Sequence, residues 1–194
     1  MKVLLIDGGQ AFAHSGGRLN HTLHDVARST LTSLGHEVEE TVIENGYDIA
    51  EEVEKQLGAE VIVYQMAGWW MGLPWTVKRY IDEVFTEGAG RIYANDGRTR
   101  SDPSKQYGSG GLMQGRRYMA SLTWNAPLEA FDEPGNFFDG RGIDEVYLPF
   151  HKSQQFVGLK ALPTFLATDV MKVPEVERFK AEYQAHLTKV FGQA

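Results

Sequence analysis

The stretch Val61-Ile62-Val63-Tyr64-Gln65-Met66-Ala67-Gly68-Trp69-Trp70-Met71-Gly72-Leu73-Pro74-Trp75 decides how the rest of the chain is read. Val61 to Tyr64 is a short β-branched and aromatic run, the pattern of a strand buried on both faces. Pro74 is pre-set for the first turn of a helix. The residues between them therefore form a loop at the carboxyl end of a strand. With Trp75, that stretch holds three of the four tryptophans. Water solvates such rings poorly, so surface loops tend to avoid them. Three rings interleaved with glycines read equally as a flat platform for a flat ligand and as a plug for a core end or a subunit contact.

Working outward, strands and helices alternate. Val3-Leu4-Leu5-Ile6 is a first, central strand ending at Asp7-Gly8-Gly9. Leu19, Leu23, Val26, Ala27, Thr30, Leu31 and Leu34 trace a helical stripe that Gly35 stops. Val38 to Ile43 reads as a weaker strand. Ile49, Val53 and Leu57 mark a short acidic helix stopped by Gly58, and Val61 to Met66 is the third strand. Pro74 opens a helix with Val77, Ile81, Val84 and Phe85 on one face. Glu87 to Gly115 has seven glycines, one proline and no helical stripe; loops this long are commonly functional or interfacial. Arg117 to Leu122 is a fourth strand. Glu145 to Val157 is helical around Pro149, and Pro163 to Thr168 is a fifth strand. Pro174 opens a last helix with the stripe Val176, Phe179, Tyr183, Leu187, Val190 and Phe191.

Five strands alternating with helices predict an α/β fold with helices on both faces of a parallel sheet. At this length the flavodoxin-like strand order 2-1-3-4-5 fits best, as a single domain over residues 1–194 with an irregular insertion at about 87–115. Ligands of that fold bind beyond the carboxyl ends of the strands. The loops after strands 1, 3 and 4 meet there, and they are the most distinctive loops of this chain. In the first, Ser15 is placed as cap or near-cap of the helix. Gly16 and Gly17 allow close backbone approach, and Arg18 adds charge. A helix start of this kind suits a phosphate. Neither a P-loop nor a strict G-x-G-x-x-G string is present.

Composition narrows the partners. Net charge is −7 with pI near 5.4, which disfavours nucleic acid, whose phosphates require clustered Lys and Arg. With no cysteine, thiol catalysis and Cys-ligated metal drop out. The opening MKVLLID is too short an apolar run for a signal peptide, and no segment is apolar enough to span a bilayer, so a cytoplasmic location is expected. His21 and His24 lie three apart on a helix without an aligned third ligand, so they read as a solvated face and no metal is expected. The pairs Glu39-Glu40 and Asp82-Glu83 likewise read as exposed charge.

The loops resemble those of the flavodoxin-like NAD(P)H:quinone oxidoreductases. The resemblance is carried by Phe12-Ala13-His14-Ser15 with Leu19-Asn20, by Gln65-Met66 and Gly68-Trp69-Trp70-Met71-Gly72, and by Pro74-Trp75-Thr76-Val77-Lys78 with Tyr80-Ile81-Asp82. It continues through Asp96-Gly97-Arg98-Thr99-Arg100, Tyr107-Gly108-Ser109-Gly110-Gly111, Ser121-Leu122-Thr123-Trp124-Asn125-Ala126-Pro127 and Tyr147-Leu148-Pro149-Phe150-His151-Lys152, so it covers essentially the whole chain. Ala67 and Gly16 depart from the family pattern.

The resemblance implies bound FAD, NADPH as hydride donor, a quinone substrate and a homodimer with active sites at the interface. By the same resemblance Ser15, Gly16, Gly17, Arg18, Leu19, Asn20, His21 and Thr22 surround the FAD diphosphate. Gly68, Trp69, Trp70 and Met71 lie against the isoalloxazine, Tyr107 is a further contact, and Thr123, Trp124, Asn125 and Ala126 flank the pyrimidine side. Trp69, Trp70 and Trp124 are expected as flat walls. One open flavin face would serve nicotinamide and quinone in turn, which implies ping-pong hydride transfer and protection against quinone radicals and oxidative stress. No dedicated acid or base is required; Tyr107 and His151 are candidates to position the quinone oxygen. An azo- or nitro-reductase using FMN or FAD, a one-electron carrier and a non-catalytic flavin-binding subunit remain open alternatives at this level.

Overall fold

The computed structural model describes residues 1–192. Its elements are β1 (Lys2–Asp7), α1 (Arg18–Ser33), β2 (Glu37–Val42), a 3₁₀ turn (Ile43–Asn45), α2 (Ile49–Gly58), β3 (Val61–Ala67) and α3 (Trp75–Glu87). There follow β4 (Arg117–Thr123), α4 (Glu129–Asp132), α5 (Gly142–Val146), α6 (Leu148–Phe156), β5 (Lys160–Ala161), β6 (Phe165–Ala167) and α7 (Val176–Phe191). The sheet order is β2-β1-β3-β4-β5, with β6 also pairing β4, and every pairing is parallel.

The expected fifth strand, Pro163 to Thr168, is β6, and a two-residue strand outside that expectation, β5, precedes it. Lys160–Ala161 pairs with Arg117–Tyr118, and Phe165–Ala167 pairs with Ser121–Thr123. The break falls at Leu162-Pro163-Thr164, where Pro163 has no N–H to give the ladder. Pro163 thus separates β5 from β6 and stands two residues ahead of the strand it was expected to open. Similarly, Pro74 caps α3 from outside, with φ −57 and ψ 142, rather than forming its first turn.

Alternation along the strands sorts the core into two layers. Leu4, Ile6, Ile62, Tyr64, Met66, Tyr118, Ala120 and Leu122 pack under α2, α3 and α6. Val3, Leu5, Val61, Val63 and Met119 pack under α1 and α7, where Phe179, Tyr183, Leu187 and Phe191 form the buried stripe of the last helix. Val176 at the start of that stripe is exposed.

The α2 side also holds a buried carboxylate. Glu52, 1% exposed, accepts from Thr41 Oγ1 at 2.8 Å and Tyr80 OH at 2.7 Å, with Lys55 Nζ at 2.6 Å. These contacts lock α2 to β2 and α3. Removing the carboxylate strands two buried hydroxyl donors and a partly buried ammonium. Glu52→Ala is predicted to lower unfolding free energy by about 3–5 kcal/mol in urea titrations. A midpoint within error of the parent would contradict this role.

Candidate functional site

The strand ends carry two small hairpin turns that face each other. After β1, Phe12 N–H donates to Ser15 O at 2.8 Å and Ser15 N–H returns to Phe12 O at 2.9 Å. After β3, Trp69 and Gly72 exchange the same pair of bonds at 3.0 and 3.1 Å. The centre of the second turn is Trp70-Met71, with φ 44 and 65. Bulky residues in the left-handed region cost about 1–3 kcal/mol each, so the turn must be held from outside. Tyr147 OH does so by donating to Gly72 O at 3.1 Å, and Phe12 packs edge-on against Trp69 with centroids 5.4 Å apart.

Between these turns and the ends of β4 and β6 lies a cleft of about 520 Å³. Its walls come from the start of α1, from Gly68 and Trp69, from Thr123 and Asn125, and from Val170, Met171 and Val176. The volume is within the usual range of cofactor sites, roughly 300–1,000 Å³. The cap of α1 is Gly17, with φ 69, and not Ser15. A Cβ on Gly17 would sit 2.7 Å from Gln10 N, so only glycine fits. Ser15 Oγ accepts the Gly17 amide at 3.5 Å, leaving the amides of Gly16, Arg18 and Leu19 without an acceptor among the described residues. Free amides at a helix start, with Arg18 beside them, are the kind of arrangement that can hold an anion.

The floor is polar and closed. Asn20 Nδ2 donates to Thr123 Oγ1 at 3.2 Å, Asn20 Oδ1 accepts from Gln65 Nε2 at 2.9 Å, and Ser121 Oγ donates to Gln65 Oε1 at 2.6 Å. Behind α1, His21 Nδ1 meets Asp7 Oδ2 at 2.6 Å and Nε2 lies 3.4 Å from Glu44 Oε2. Burial alone would lower the His21 pKa. The hydrogen bond and charge of Asp7, then Glu44, outweigh that and leave it raised.

The model of the flavodoxin-like fold family matches residues 1–190. The chain belongs to that family. It is 57% identical over 192 residues to the NADPH:quinone oxidoreductase MdaB of Haemophilus influenzae, covering 99% of this chain and 100% of that protein. Among solved structures it resembles a Klebsiella pneumoniae protein assigned as a quinone reductase, with TM-score 0.74 and 24% identity over 97% of this chain and 83% of that one. The general stress protein 14 of Treponema denticola, solved with FMN, gives TM-score 0.68 at 18% identity over 97% of this chain and 98% of that one. At these identities the two structures speak for the fold alone.

In this flavodoxin-like chain, Ser15, Gly16, Gly17, Arg18, Leu19, Asn20, Thr22, Gly68, Trp69, Thr123 and Asn125 line one cleft together. Other expected site residues lie elsewhere. Trp124 is not a wall: it is 7% exposed, its ring packs edge-on against Phe131, Phe138 and Tyr147, and Nε1–H donates to Tyr147 OH at 3.0 Å. Its ring fills the space beside Gly68, where a Cβ would come within 2.1 Å. Trp70, 90% exposed, and Met71 point to solvent, and His21 faces Asp7 and Glu44. Ala126 is half-buried, its carbonyl taken by Asp169 N–H.

Tyr107 lines a different cleft of about 400 Å³ with Tyr93 and Phe156. His151 sits within α6, bonded through Nδ1 to Tyr118 OH at 2.6 Å, with Nε2 3.4 Å from Asp144 Oδ1. Burial first, then the Asp144 charge, raises the Tyr118 pKa, so the Tyr118 hydroxyl is not poised to give up its proton. The two helical histidines are not a solvated face: His24 is buried against Glu40 at 2.8 Å, and Glu39 pairs with Lys2 at 2.9 Å. Among the described residues no cluster of three metal-ligating side chains forms.

Sequence reasoning passed over Val170, Met171 and Val176, although the rule that ligands sit beyond strand ends applies equally to β6. Asn20→Ala, which leaves Gln65 Nε2 and Thr123 Oγ1 unpaired under the cleft, is predicted to cost about 1–3 kcal/mol of stability by chemical denaturation. An unshifted curve would show that the floor does not depend on this residue.

Proposed function

We infer that this protein is a flavin-dependent NADPH:quinone oxidoreductase that carries FAD and works as a homodimer. The observation that carries the reading is a cleft joining free amides at the start of α1 to the aromatic face of Trp69, in a chain 57% identical along its length to a quinone oxidoreductase. The residues suit the cofactor. Amides of Gly16, Arg18 and Leu19 would hold the diphosphate, and Gly68 brings main chain close to a planar ring beside Trp69. The cleft also has apolar wall from Val170, Met171 and Val176, against which the adenine end of a dinucleotide would rest.

Bound flavin would supply hydride transfer from NADPH to the quinone in two successive half-reactions. The chain's own groups bind and orient. The Asn20–Thr123–Gln65–Ser121 ladder keeps its own polar atoms satisfied and presents a fixed floor. The Phe12–Trp69 contact braces the Trp69 ring from the side of the β1 loop.

Trp70, Met71, Tyr107, Phe137 and Leu148 are all at least 47% exposed, large apolar groups that a second copy would cover. Tyr107 shares no cleft with Trp69 in its own chain, so any flavin contact it makes would be to the partner's site. A cytoplasmic location is in keeping with this chemistry, and among the described residues no helix is long and apolar enough to cross a membrane.

Purified protein is expected to absorb in the visible blue, to release FAD rather than FMN on denaturation, and to bleach on mixing with NADPH alone. Recovery of colour on adding quinone would complete the cycle. A protein that binds flavin but never bleaches with NADPH would be a carrier or a binding subunit. Gly17→Ala is predicted to weaken flavin binding about tenfold or more, equivalent to about 1.4 kcal/mol, in fluorescence titrations. Trp70→Ala is expected to shift sedimentation toward monomer; unchanged sedimentation would remove Trp70 from the subunit contact.

A further inference from the structure

We propose that His21 is a positioning residue for the flavin nucleotide, acting as the imidazolium that joins Asp7 to Glu44 and so fixes the loop in front of α1. This rests on the flavin-binding function proposed above. Both ring nitrogens face carboxylate oxygens, Asp7 Oδ2 at 2.6 Å and Glu44 Oε2 at 3.4 Å. A neutral imidazole has one N–H and could serve only one of them. Each carboxylate uses its second oxygen on the same loop: Asp7 Oδ1 accepts Gly9 N–H at 2.7 Å, and Glu44 Oε1 accepts Ala11 N–H at 3.0 Å. Between those two amides is Gln10, the backbone against which Gly17 abuts. Just after them is Phe12, packed on Trp69. One proton on His21 therefore sets the height of both the helix cap and one lip of the cleft.

The charged groups facing His21 are Asp7 from β1 and Glu44 from the turn after β2. On its own helix, Arg18 lines the cleft and His24 is engaged by Glu40. The other histidine at the cleft is His14, which lines it directly. Deprotonating His21 leaves Asp7, 1% exposed, and Glu44 as uncompensated negative charge just behind an anion site. Flavin affinity is therefore highest with His21 protonated and falls as pH rises through its titration. The same linkage acts on folding: with the pKa raised, the stabilisation is complete below the ordinary value of 6.5 and is lost as pH passes the raised one.

The test is titration of the flavin-stripped full-length chain with FAD from about pH 6 to about pH 9, read by flavin fluorescence, together with imidazole NMR of His21. Wild type should lose about tenfold in affinity per pH unit at the steepest point, the slope of one linked proton. His21→Gln should bind more weakly at the acid end and show no such slope. His14→Gln should keep it. Asp7→Asn should move the midpoint to lower pH, a shift that a purely structural contact would not give.

Parallel profiles for wild type and His21→Gln, or an unmoved midpoint in Asp7→Asn, overturn the proposal. If His21→Gln does not fold by circular dichroism, the Asp7→Asn midpoint and the His21 resonances decide. A wild type that binds flavin without a pH slope overturns this inference alone, whereas one that binds no flavin at any pH overturns the flavin-binding function as well.

Discussion

A cleft at the carboxyl end of a parallel sheet has polar side chains beneath it, and Asn20 is what satisfies them here. It is 5% exposed and reaches from α1 to Thr123 on β4 and Gln65 on β3. Gln65 passes the chain of bonds to Ser121, its register partner on the next strand. Because the register fixes Gln65 against Ser121, the amide of Gln65 has one productive orientation, and Asn20 has one in turn. The start of α1 is thereby set against two strands by hydrogen bonds that have no competing water. The free amides of the helix cap inherit that position. An apolar floor would pack, yet it would leave the helix free to slide along the sheet.

Above this floor the walls are under strain. Trp70 and Met71 adopt a backbone that glycine would adopt more readily. The turn keeps its shape because Tyr147, 1% exposed, bonds Gly72 O on one side and accepts the Trp124 indole N–H on the other. Trp124 is thus a buttress behind the site. Its burial beside Gly68 leaves Trp69 as the aromatic face at the cleft, while Trp70 is turned out. The division of labour among the three indoles follows from which glycine each one adjoins and which partner holds its turn.

Alternation of apolar runs and helical stripes was enough to read the strands and helices, and right-handed crossovers at this chain length then favoured the sheet order and the loops that meet at its edge. The misreadings are non-local. The direction of the Trp124 ring depends on a space beside Gly68, in a separate loop. The partners of His21 and His24 come from β1, from the turn after β2 and from β2 itself, so helical spacing alone made them look solvated. Ser15 has the chemistry of a cap, but the left-handed φ of Gly17 moved the helix start two residues on. The strand expected after Pro163 is β6; β5, ahead of it, is two residues long and too short for alternation to mark. Tyr107 could be placed near the cleft only by analogy, because the irregular segment that carries it has no period to read.

For a chain of net charge −7 to hold an anion at the start of α1, its local field must differ from its global one. Two carboxylates stand close behind the cap of α1, and each has both oxygens engaged: Asp7 by His21 and Gly9, Glu44 by His21 and Ala11. Their charge is spent on imidazole and main-chain amides, turned away from the cleft. What faces forward is unpaired N–H and the Arg18 guanidinium. Exposed charges farther off are screened beyond about 10 Å at ordinary ionic strength. An anion alone meets an acidic protein with a small basic spot, and a planar ring alone meets one indole. A ligand that joins the two, charge at the helix cap and ring at Trp69, gains from both without a second ordering cost. Selectivity for such a ligand therefore comes from the spacing between α1 and the turn after β3, which the Asn20 ladder fixes.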